Sequence, residues 1–195
     1  IRLGRAVRHG HPLHRGLSVK FQKTIVEGLF VVSTEAQTDN RGGFARVFCE
    51  IEMAENGNPF HVIQSSISSN SKKCTLRGLH YQSDIAPETK LVRCVRGAVW
   101  DVVVDLRPSS STYLKWFGTE LSGANLMAML IPSGCAHGFI TLTDHAEILY
   151  MMDQAYVPDS AQGVRWDDKA FAIQWPKQPA VISERDAAYA DFRSP

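Results

Sequence analysis

The sequence predicts an all-β fold, a sandwich or barrel with a few short helices. Segments rich in β-branched, aromatic and aliphatic residues recur at intervals of about ten residues, and turn signals rather than helical patterns separate them. Clear turn signals lie at Arg96-Gly97 and at Pro132-Ser133-Gly134. The predicted strands are Leu29–Ser33, Phe60–Ser66, Thr75–Gln82, Lys90–Val95, Ala98–Asp105, Trp116–Leu121, Met127–Ile131, His137–Thr141 and Glu147–Met152.

Only two stretches of the sequence favour a helix. Glu50–Asn56 ends at Gly57, and Glu184–Tyr189 follows Ser183, a residue that can cap its first turn. Both are short, and neither forms the alternation of long helices and strands that predicts a parallel sheet. The fold class therefore stays all-β.

One predicted strand, Ala98–Asp105, carries two carboxylates on one face. Asp101 and Asp105 are four residues apart and alternate with apolar residues, which is typical of a half-buried strand. A hairpin would bring these carboxylates near Arg93 or Arg96. We expect structural ion pairs there rather than catalysis.

The beginning of the chain differs in character from the rest. Residues 1–20 hold five basic residues and no acidic one, and their glycine, proline and histidine content follows no strand or helix period. We predict a flexible basic tail at residues 1–24 that takes no part in function. One domain follows at residues 25–195.

The composition argues against several functional classes. With 44% hydrophobic and 21% charged residues, the chain is typical of a soluble globular protein, and no apolar run reaches the ~20 residues that span a bilayer. A formal net charge of +1 gives no indication of a nucleic-acid partner. The cysteines, at Cys49, Cys74, Cys94 and Cys135, are far apart, which favours reduced thiols. We expect a cytoplasmic protein that binds neither nucleic acid nor membrane.

The segment Leu76–Gln82 concentrates chemically active side chains. Alternate residues of an extended strand share a face, so that Gly78, His80 and Gln82 point one way and Arg77 the other. If the first face lines a pocket, His80 is a candidate for proton transfer, because Gly78 leaves room beside it. An ordinary edge-strand histidine next to a basic residue fits the same segment equally well.

Two further segments are candidates for the same pocket. His137 stands among small residues, and Asp167 and Asp168 follow a tryptophan in a charged cluster. A carboxylate there could orient a catalytic imidazole, although pairing with Arg165 in a surface loop is the stronger interpretation from the sequence alone. Because His80 and His137 stand apart rather than in closely spaced groups, we predict no metal site.

Motifs of charged, aromatic and small residues follow one another along the chain. In order, they are Asp39–Phe44, Gln64-x-Ser66-x-Ser68, Leu76–Gln82, Lys90–Arg93, Gly97-x-x-x-Asp101 continuing to Arg107, Pro132–Phe139, Trp166-x-Asp168 and Ile173-x-Trp175-Pro176. Together they resemble the dTDP-4-dehydrorhamnose 3,5-epimerase family of nucleotide-sugar enzymes. One motif alone would be weak, but the ordered set is highly specific and covers nearly the whole body of the chain.

The resemblance implies a cupin-like jelly roll, a homodimer and an isomerase that needs no metal or other cofactor. The family's substrate is dTDP-4-dehydro-6-deoxy-D-glucose, which is inverted at C3 and C5 to the L-rhamno form. The C4 ketone acidifies the hydrogens on both carbons, so a base can remove one and an acid can return it to the opposite face. The product feeds dTDP-L-rhamnose and the polysaccharides of bacterial envelopes.

The resemblance also implies catalytic roles for particular residues. His80 corresponds to the base and Asp168 to its partner, whereas Tyr150 corresponds to the acid across the sugar ring. Lys90 and His137 correspond to groups near the ketone oxygen, where a cation would stabilise the enolate.

Substrate contacts are implied in the same way. Arg41, Gln64 and Arg77 correspond to positions near the diphosphate and the sugar, where arginine suits phosphate geometry. Tyr156 corresponds to the aromatic residue that stacks on thymine. Phe44 and Ser66 complete the expected substrate-binding set.

The chain also departs from the family pattern. Ser66 replaces a usual Asn, Lys169 replaces a usual Pro after Asp168, and Arg46 stands where a Glu is common. These changes leave open the exact sugar and whether one carbon or both are inverted. A monofunctional 3- or 5-epimerase is the nearest alternative. A metal-dependent cupin and a non-catalytic sugar-binding module are alternatives of other classes.

Overall fold

The structure is a computed structural model that describes residues 18–193. Most of its strands form two antiparallel sheets, which confirms the predicted all-β fold. Across the larger sheet the order is β1 (Val19–Lys23), β2 (Phe30–Thr34), β10 (Ala128–Ile131), β7 (Lys90–Arg96), β12 (Ala146–Met152) and β5 (Gln64–Asn70). Across the smaller sheet it is β13 (Ala161–Gly163), β6 (Leu76–Gln82), β11 (Cys135–Thr141), β8 (Ala98–Asp105) and β9 (Trp116–Ser122).

The remaining elements are short. Strands β3 (Gln37–Asp39) and β4 (Gly42–Phe44) form a separate hairpin, and the helices are α1 (Glu50–Glu55) and α2 (Glu184–Ala187). Both helices lie where the sequence predicts them, and Ser183 caps α2 by accepting a hydrogen bond from the Asp186 amide. No helix within residues 18–193 is long and apolar enough to cross a membrane.

Apolar side chains fill the space between the sheets and also cover both outer faces. The inner layer joins Val99 and Val103 of β8 to Val92 and Ile148 of the larger sheet. Helix α1 and its neighbours cover the outer face of the larger sheet, and the C-terminal segment covers the smaller one. Strand β8 is therefore buried on both faces rather than half-buried as predicted.

Asp101 and Asp105 do point to one side of β8, but the predicted ion pairs with Arg93 or Arg96 are wrong. Asp101 accepts a hydrogen bond from His137, and Asp105 pairs with Arg107. The guanidinium of Arg93 instead donates to backbone carbonyls of Val47 and Leu126.

Most predicted strands have a boundary that is one or two residues off, β3, β4 and β13 were not predicted, and two differences are larger. Val19–Lys23, assigned to the tail, pairs with β2 as strand β1, so the ordered domain begins before residue 25. Residues 1–17 of the predicted tail lie outside the described part of the chain. The strand predicted at Phe60–Ser66 begins only at Gln64, because Phe60 packs in the core beside α1. The serine-rich sequence of β5 has little strand propensity, and pairing with β12 determines its structure.

A β-bulge in β6 determines which side chains reach the same space. Between the pairs His80–His137 and Arg77–Phe139, strand β6 contains one residue more than β11. This extra residue breaks the alternation, so that Arg77 and His80 face the same cavity instead of opposite sides as predicted.

Gly78 is required at this bulge. Its φ is +126°, and a Cβ there would lie 2.6 Å from the Cα of Gly138. The small residue therefore serves the close approach of two strands.

Candidate active site

A cavity of about 250 Å³ opens between the two sheets and collects most of the predicted catalytic residues. Strands β6 and β11 of the smaller sheet form one wall, and β5, β7 and β12 of the larger sheet form the other. The side chains that line it are Ser66, Ile67, Ser68, Arg77, His80, Lys90, His137 and Tyr150.

His80 lies at the solvent-accessible side of this cavity and is bound to a buried carboxylate. Its Nε2 lies 2.7 Å from Oδ1 of Asp186, and the side chains are 43% and 6% exposed, respectively. The other carboxylate oxygen of Asp186 accepts a hydrogen bond of 3.1 Å from the Gly78 amide. Asp186 is thereby attached to the strand that carries the histidine, and it fixes Nε2 as the protonated nitrogen.

The environment of Asp186 favours its charged form. Burial alone would raise the pKa of this carboxyl group, but the hydrogen bonds from His80 and the Gly78 amide outweigh burial and lower it below its ordinary value. The ionised carboxylate orients the imidazole of His80 and accepts the hydrogen bond from its Nε2.

His137 forms a second histidine–aspartate pair on the neighbouring strand. It stands directly opposite His80 in the register of β11 and β6. Its Nε2 lies 3.0 Å from both carboxylate oxygens of Asp101. This pair is almost completely buried, with 4% of the His137 side chain and none of the Asp101 side chain exposed.

Tyr150 enters the cavity from the opposite sheet. Its ring packs edge to face against that of His137, with centroids 5.8 Å apart. Burial raises the pKa of the phenol, the negative charge of Asp101 raises it further, and Arg77 opposes the shift. The phenol is therefore held in its protonated form.

Lys90 is the cation of the cavity wall on the larger sheet. It begins β7, pairs in register with Met152 of β12, and is 8% exposed. Its Nζ lies 2.8 Å from Oε1 of Glu88. Lys90 and Tyr150 lie on the same face of the sheet, because Tyr150 pairs with Val92, two residues beyond Lys90.

Asp168 is not the partner of His80, and this prediction is corrected. Its Oδ1 accepts a hydrogen bond of 2.8 Å from the Ala170 amide, and its Oδ2 accepts one from the Phe192 amide. These bonds use Asp168 to cap a turn on the outer side of the smaller sheet. The departure at Lys169 therefore alters this turn and not the carboxylate that holds the histidine.

Sequence reasoning missed Asp186, although one local signal was available. Ser183-x-x-Asp186 is a capping pattern, and the cap places the carboxylate at the first turn of α2. The partners His80 and Asp186 are 106 positions apart. No local pattern could have joined them.

The remaining predicted binding residues lie outside the cavity lining. The Tyr156 amide donates a 3.1 Å hydrogen bond to Oε1 of Gln64, and the Tyr156 side chain is exposed. Arg41 pairs with Asp39 on the β3–β4 hairpin, where Phe44 is 70% exposed. The predicted roles of these residues in substrate binding stay predictions.

Two other observations concern the departure from the family pattern at Arg46 and the alternative of a metal site. Arg46 forms an ion pair with Glu52, a buried residue that also accepts a hydrogen bond from the Val19 amide, so this departure serves the fold. Within residues 18–193, no group of three or more His, Cys, Asp or Glu side chains is arranged to hold a metal ion.

Comparison with known proteins identifies the family. The family model described as dTDP-4-dehydrorhamnose 3,5-epimerase matches residues 23–194. This chain belongs to that family. It is thus an isomerase of the epimerase type.

Individual epimerases are similar over nearly their full length. The dTDP-4-dehydrorhamnose 3,5-epimerase of Methanothermobacter thermautotrophicus is 39% identical over 177 residues, which cover 89% of this chain and 95% of the relative. The crystal structure of the enzyme from Bacillus anthracis with TDP and pyrophosphate bound has a TM-score of 0.87 and 33% identity. The match covers 90% of this chain and 100% of that one. The likeness to this epimerase confirms the predicted cupin-like jelly roll.

A relative with a narrower name is similar to nearly the same degree. The dTDP-4-dehydrorhamnose 3-epimerase of Streptomyces niveus is 37% identical over 163 residues, covering 83% of this chain and 78% of the relative. Identity within the epimerase family therefore does not separate inversion of one carbon from inversion of two.

Proposed function

We propose that this protein inverts both C3 and C5 of dTDP-4-dehydro-6-deoxy-D-glucose and so supplies the L-rhamno sugar for dTDP-L-rhamnose biosynthesis. One observation carries the proposal: the His80–Asp186 pair faces Tyr150 across a single cavity formed by two opposed sheets. Inversion needs a base on one side of a sugar ring and an acid on the other, and this cavity presents both.

His80 acts as the base. Asp186 holds Nε2 as the protonated nitrogen, which leaves Nδ1 to accept a proton from the carbon next to the ketone. The negative charge of Asp186 stabilises the imidazolium that forms. The His80 side chain is 43% exposed, and this gives the imidazole a route to exchange the proton with solvent between the two inversions.

Tyr150 acts as the acid on the opposite side of the ring. A phenol whose pKa is raised by burial is protonated when the substrate binds and can donate to the carbanion carbon of the enolate. The tyrosinate that results is a strong base and takes up a proton from solvent before the next inversion.

Lys90 stabilises the negative charge that develops on the ketone oxygen, and His137 lines the same part of the cavity. Both line the cavity and both are held by buried carboxylates, Lys90 by Glu88 and His137 by Asp101. Groups held in place before the reaction stabilise an oxyanion without the cost of reorganisation, and one such donor contributes about 3 kcal/mol.

The substrate is oriented by the residues around the mouth of the cavity. We assign Arg77 to the diphosphate, because its guanidinium is exposed at the cavity and its Nε is anchored at 2.7 Å by Asn70. Gln64 and Ser66 contact the sugar, and Tyr156 stacks on the thymine. We keep Arg41 and Phe44 as substrate contacts on the resemblance alone.

The homodimer and the cytoplasmic location also belong to this proposal. Among residues 18–193, no strand pairs with the outer side of β5, and the side chains of Ile63 and Ile67 beside and within it are 56% and 63% exposed. Such an edge with apolar side chains needs cover, which a second copy would provide. The cysteines of the chain are free thiols, as expected in a reducing compartment.

A 3-epimerase is the second candidate. The Streptomyces niveus relative bears that name, and Ser66, which lines the cavity, has a shorter side chain than the usual Asn. A ring held less firmly would be inverted at one carbon only, so the regiochemistry must be measured.

The deciding experiment follows deuterium from heavy water into dTDP-4-dehydro-6-deoxy-D-glucose by NMR. We expect incorporation at C3 and C5 with the L-rhamno product, and unchanged rates after treatment with a chelator. Incorporation at C3 alone would support the 3-epimerase. Loss of activity with the chelator would support a metal-dependent cupin, and no incorporation at all would leave only a sugar-binding module.

Tyr150→Phe tests the assignment of the acid in the same assay. The variant should still exchange hydrogen for deuterium, because His80 remains, but the yield of inverted sugar should fall about 10²-fold. Equal losses of exchange and inversion would contradict a donor on the opposite side.

A further inference from the structure

Glu88, whose carboxylate lies outside the cavity lining, holds the ammonium of Lys90 in the cavity wall. The side chains of Lys90 and Glu88 are only 10% and 9% exposed, and Lys90 Nζ lies 2.8 Å from Glu88 Oε1. Lys90 lines the cavity, whereas Glu88 is not among the lining residues. Glu88 therefore acts on a substrate only through the residues that it binds, of which Lys90 is the one that lines the cavity.

Glu88 is itself oriented by a second buried residue. Nε2 of Gln82, at the end of β6, donates a hydrogen bond of 3.2 Å to Oε2 of Glu88. Oε1 of the same Gln82 accepts one of 3.2 Å from the Val157 amide. One carboxylate oxygen of Glu88 thus binds Lys90, and the other binds Gln82, which in turn contacts the chain segment that follows β12.

This segment is attached to β7 at a second point. The Thr89 amide donates a 2.7 Å hydrogen bond to Oδ1 of Asp153, and the Asp153 amide donates one of 3.2 Å to the Thr89 carbonyl. Residues 153–157 include Tyr156, to which we assign the nucleobase. The entry to β7, from Glu88 to Lys90, therefore contacts the segment that receives one end of the substrate.

We propose that Glu88 is a positioning residue that holds the Lys90 ammonium at the ketone subsite, and that Gln82 orients Glu88 for this task. The inference rests on the proposed function, because it assigns a task within the epimerase reaction. It adds a residue that the resemblance did not supply.

The physical reason is the cost of an unpaired buried charge. A lysine side chain has four flexible bonds and a strongly hydrated ammonium, so that without a counter-charge it turns towards water. A charge-assisted hydrogen bond to Glu88 holds the ammonium of Lys90 in position. Oxyanion stabilisation needs this, because the ammonium must already be in place when the enolate forms.

The test is Glu88→Gln, which keeps the shape of the side chain and removes its charge. We expect kcat to fall about tenfold, because the hydrogen bond to Lys90 loses its ionic partner, while KM changes less than about twofold. Deuterium incorporation should fall by the same factor as kcat. The matched control is Glu147→Gln, because Glu147 pairs with Arg96 at 3.9 Å in an exposed part of the same sheet.

A second background separates positioning from a general structural role. In Lys90→Met, the effect of Glu88→Gln on the residual kcat should disappear, since the group through which Glu88 acts has been removed. A merely structural Glu88 would give the same fold-loss in both backgrounds and would overturn the proposal. An unchanged kcat in the single variant would overturn it too.

Gln82→Met provides a second variant if Glu88→Gln does not fold. It removes the donor to Glu88 but keeps the ion pair, so we expect kcat to fall about threefold, less than for Glu88→Gln, with KM again preserved. A rise in KM without a fall in kcat would contradict the inference. If the wild-type protein itself gives no deuterium incorporation, the proposed function fails and this inference fails with it. If the wild type is active and the variants keep its kcat, only this inference is contradicted.

Discussion

The two histidine–aspartate pairs of the cavity have the same chemistry in two different environments. His80 and His137 lie opposite each other on adjacent strands, and each Nε2 is bound to a carboxylate. The His80 side chain is 43% exposed, whereas that of His137 is 4% exposed. Proton exchange with substrate and solvent needs access, so the first pair suits a base and the second a fixed electrostatic group.

The carboxylates of these pairs differ as well. Asp186 comes from the distant helix α2 and is attached by the Gly78 amide, whereas Asp101 belongs to β8, which pairs directly with the strand of its histidine. The first partner is held by hydrogen bonds to His80 and the Gly78 amide. The second is fixed by the sheet itself. Burial and the origin of the partner, rather than residue type, therefore separate the two pairs.

The largest effect is expected for His80→Asn. Loss of the base should reduce deuterium incorporation at both sugar carbons by about 10⁴-fold, the upper end for a general base. His61→Asn is the matched control, because His61 is also bound to a carboxylate, Glu50, at 3.0 Å but is exposed elsewhere. Deuterium incorporation that survives at either carbon would show that another base acts there. It would contradict the assignment of the base to the exposed pair alone.

The next effect is expected for Asp186→Asn, which keeps a hydrogen-bonding group but loses the charge. We expect kcat to fall about 10²-fold, the lower end of the range for acid–base catalysis, because the imidazolium loses its stabilising partner. Asp168→Asn should leave kcat within about twofold and lower only thermal stability, since Asp168 caps a turn. The reverse pattern in steady-state kinetics would restore Asp168 as the partner of His80.

A smaller effect is expected for Asp101→Asn. His137 should stay in place within the buried pair, so kcat should fall about tenfold while deuterium incorporation at both carbons continues. Melting temperature should drop more than in Asp186→Asn, because the lost charge is completely buried. Complete loss of incorporation would mean that the buried histidine, too, exchanges protons.

The smallest effect on activity is expected at Asp105, which shares a face of β8 with Asp101 but has no histidine partner. Burial opposes ionisation, but hydrogen bonds from Arg107, Ser110 and Thr112 lower the pKa of Asp105 from 3.8 to about 2. A carboxyl group whose pKa is lower in the folded than in the unfolded protein stabilises the fold. This contribution is complete at pH values above the pKa of the unfolded protein, and it is lost as the pH falls through the pKa of the folded protein.

We therefore expect wild-type protein to lose about 2 kcal/mol of unfolding free energy from this group between pH 4 and pH 2. Asp105→Asn should lack this part of the acid dependence and keep its kcat. Urea unfolding followed by circular dichroism at several pH values measures it. An acid dependence identical in the two proteins would contradict the assignment.

The strands were predictable where local composition and pairing agree. Ala98–Asp105 has the predicted bounds, because its run of valines favours a strand and both of its faces are buried. Strand β5 was displaced in the prediction, since Ser and Asn carry no local signal and only β12 makes this segment a strand.

The site was predictable as a set of residue types but not as a set of contacts. His80, Lys90, His137 and Tyr150 meet in one cavity as the ordered motifs suggested. The partner of His80 was missed because it lies on the last helix, where its only local signal describes a cap. Likewise, the ion pair of Lys90 with Glu88 depends on burial, which the sequence around it does not reveal.

The extra residue in β6 determines how Arg77 and His80 come to share one cavity. Arg77 and His80 are an odd number of positions apart, and they meet the same cavity only because the bulge shifts the phase of the strand. Deleting one residue at the bulge would leave the arginine and the histidine two positions apart, which puts them on the same face of a regular strand. Such a deletion would instead remove the local geometry that brings the Gly78 amide to Asp186, the carboxylate that holds His80.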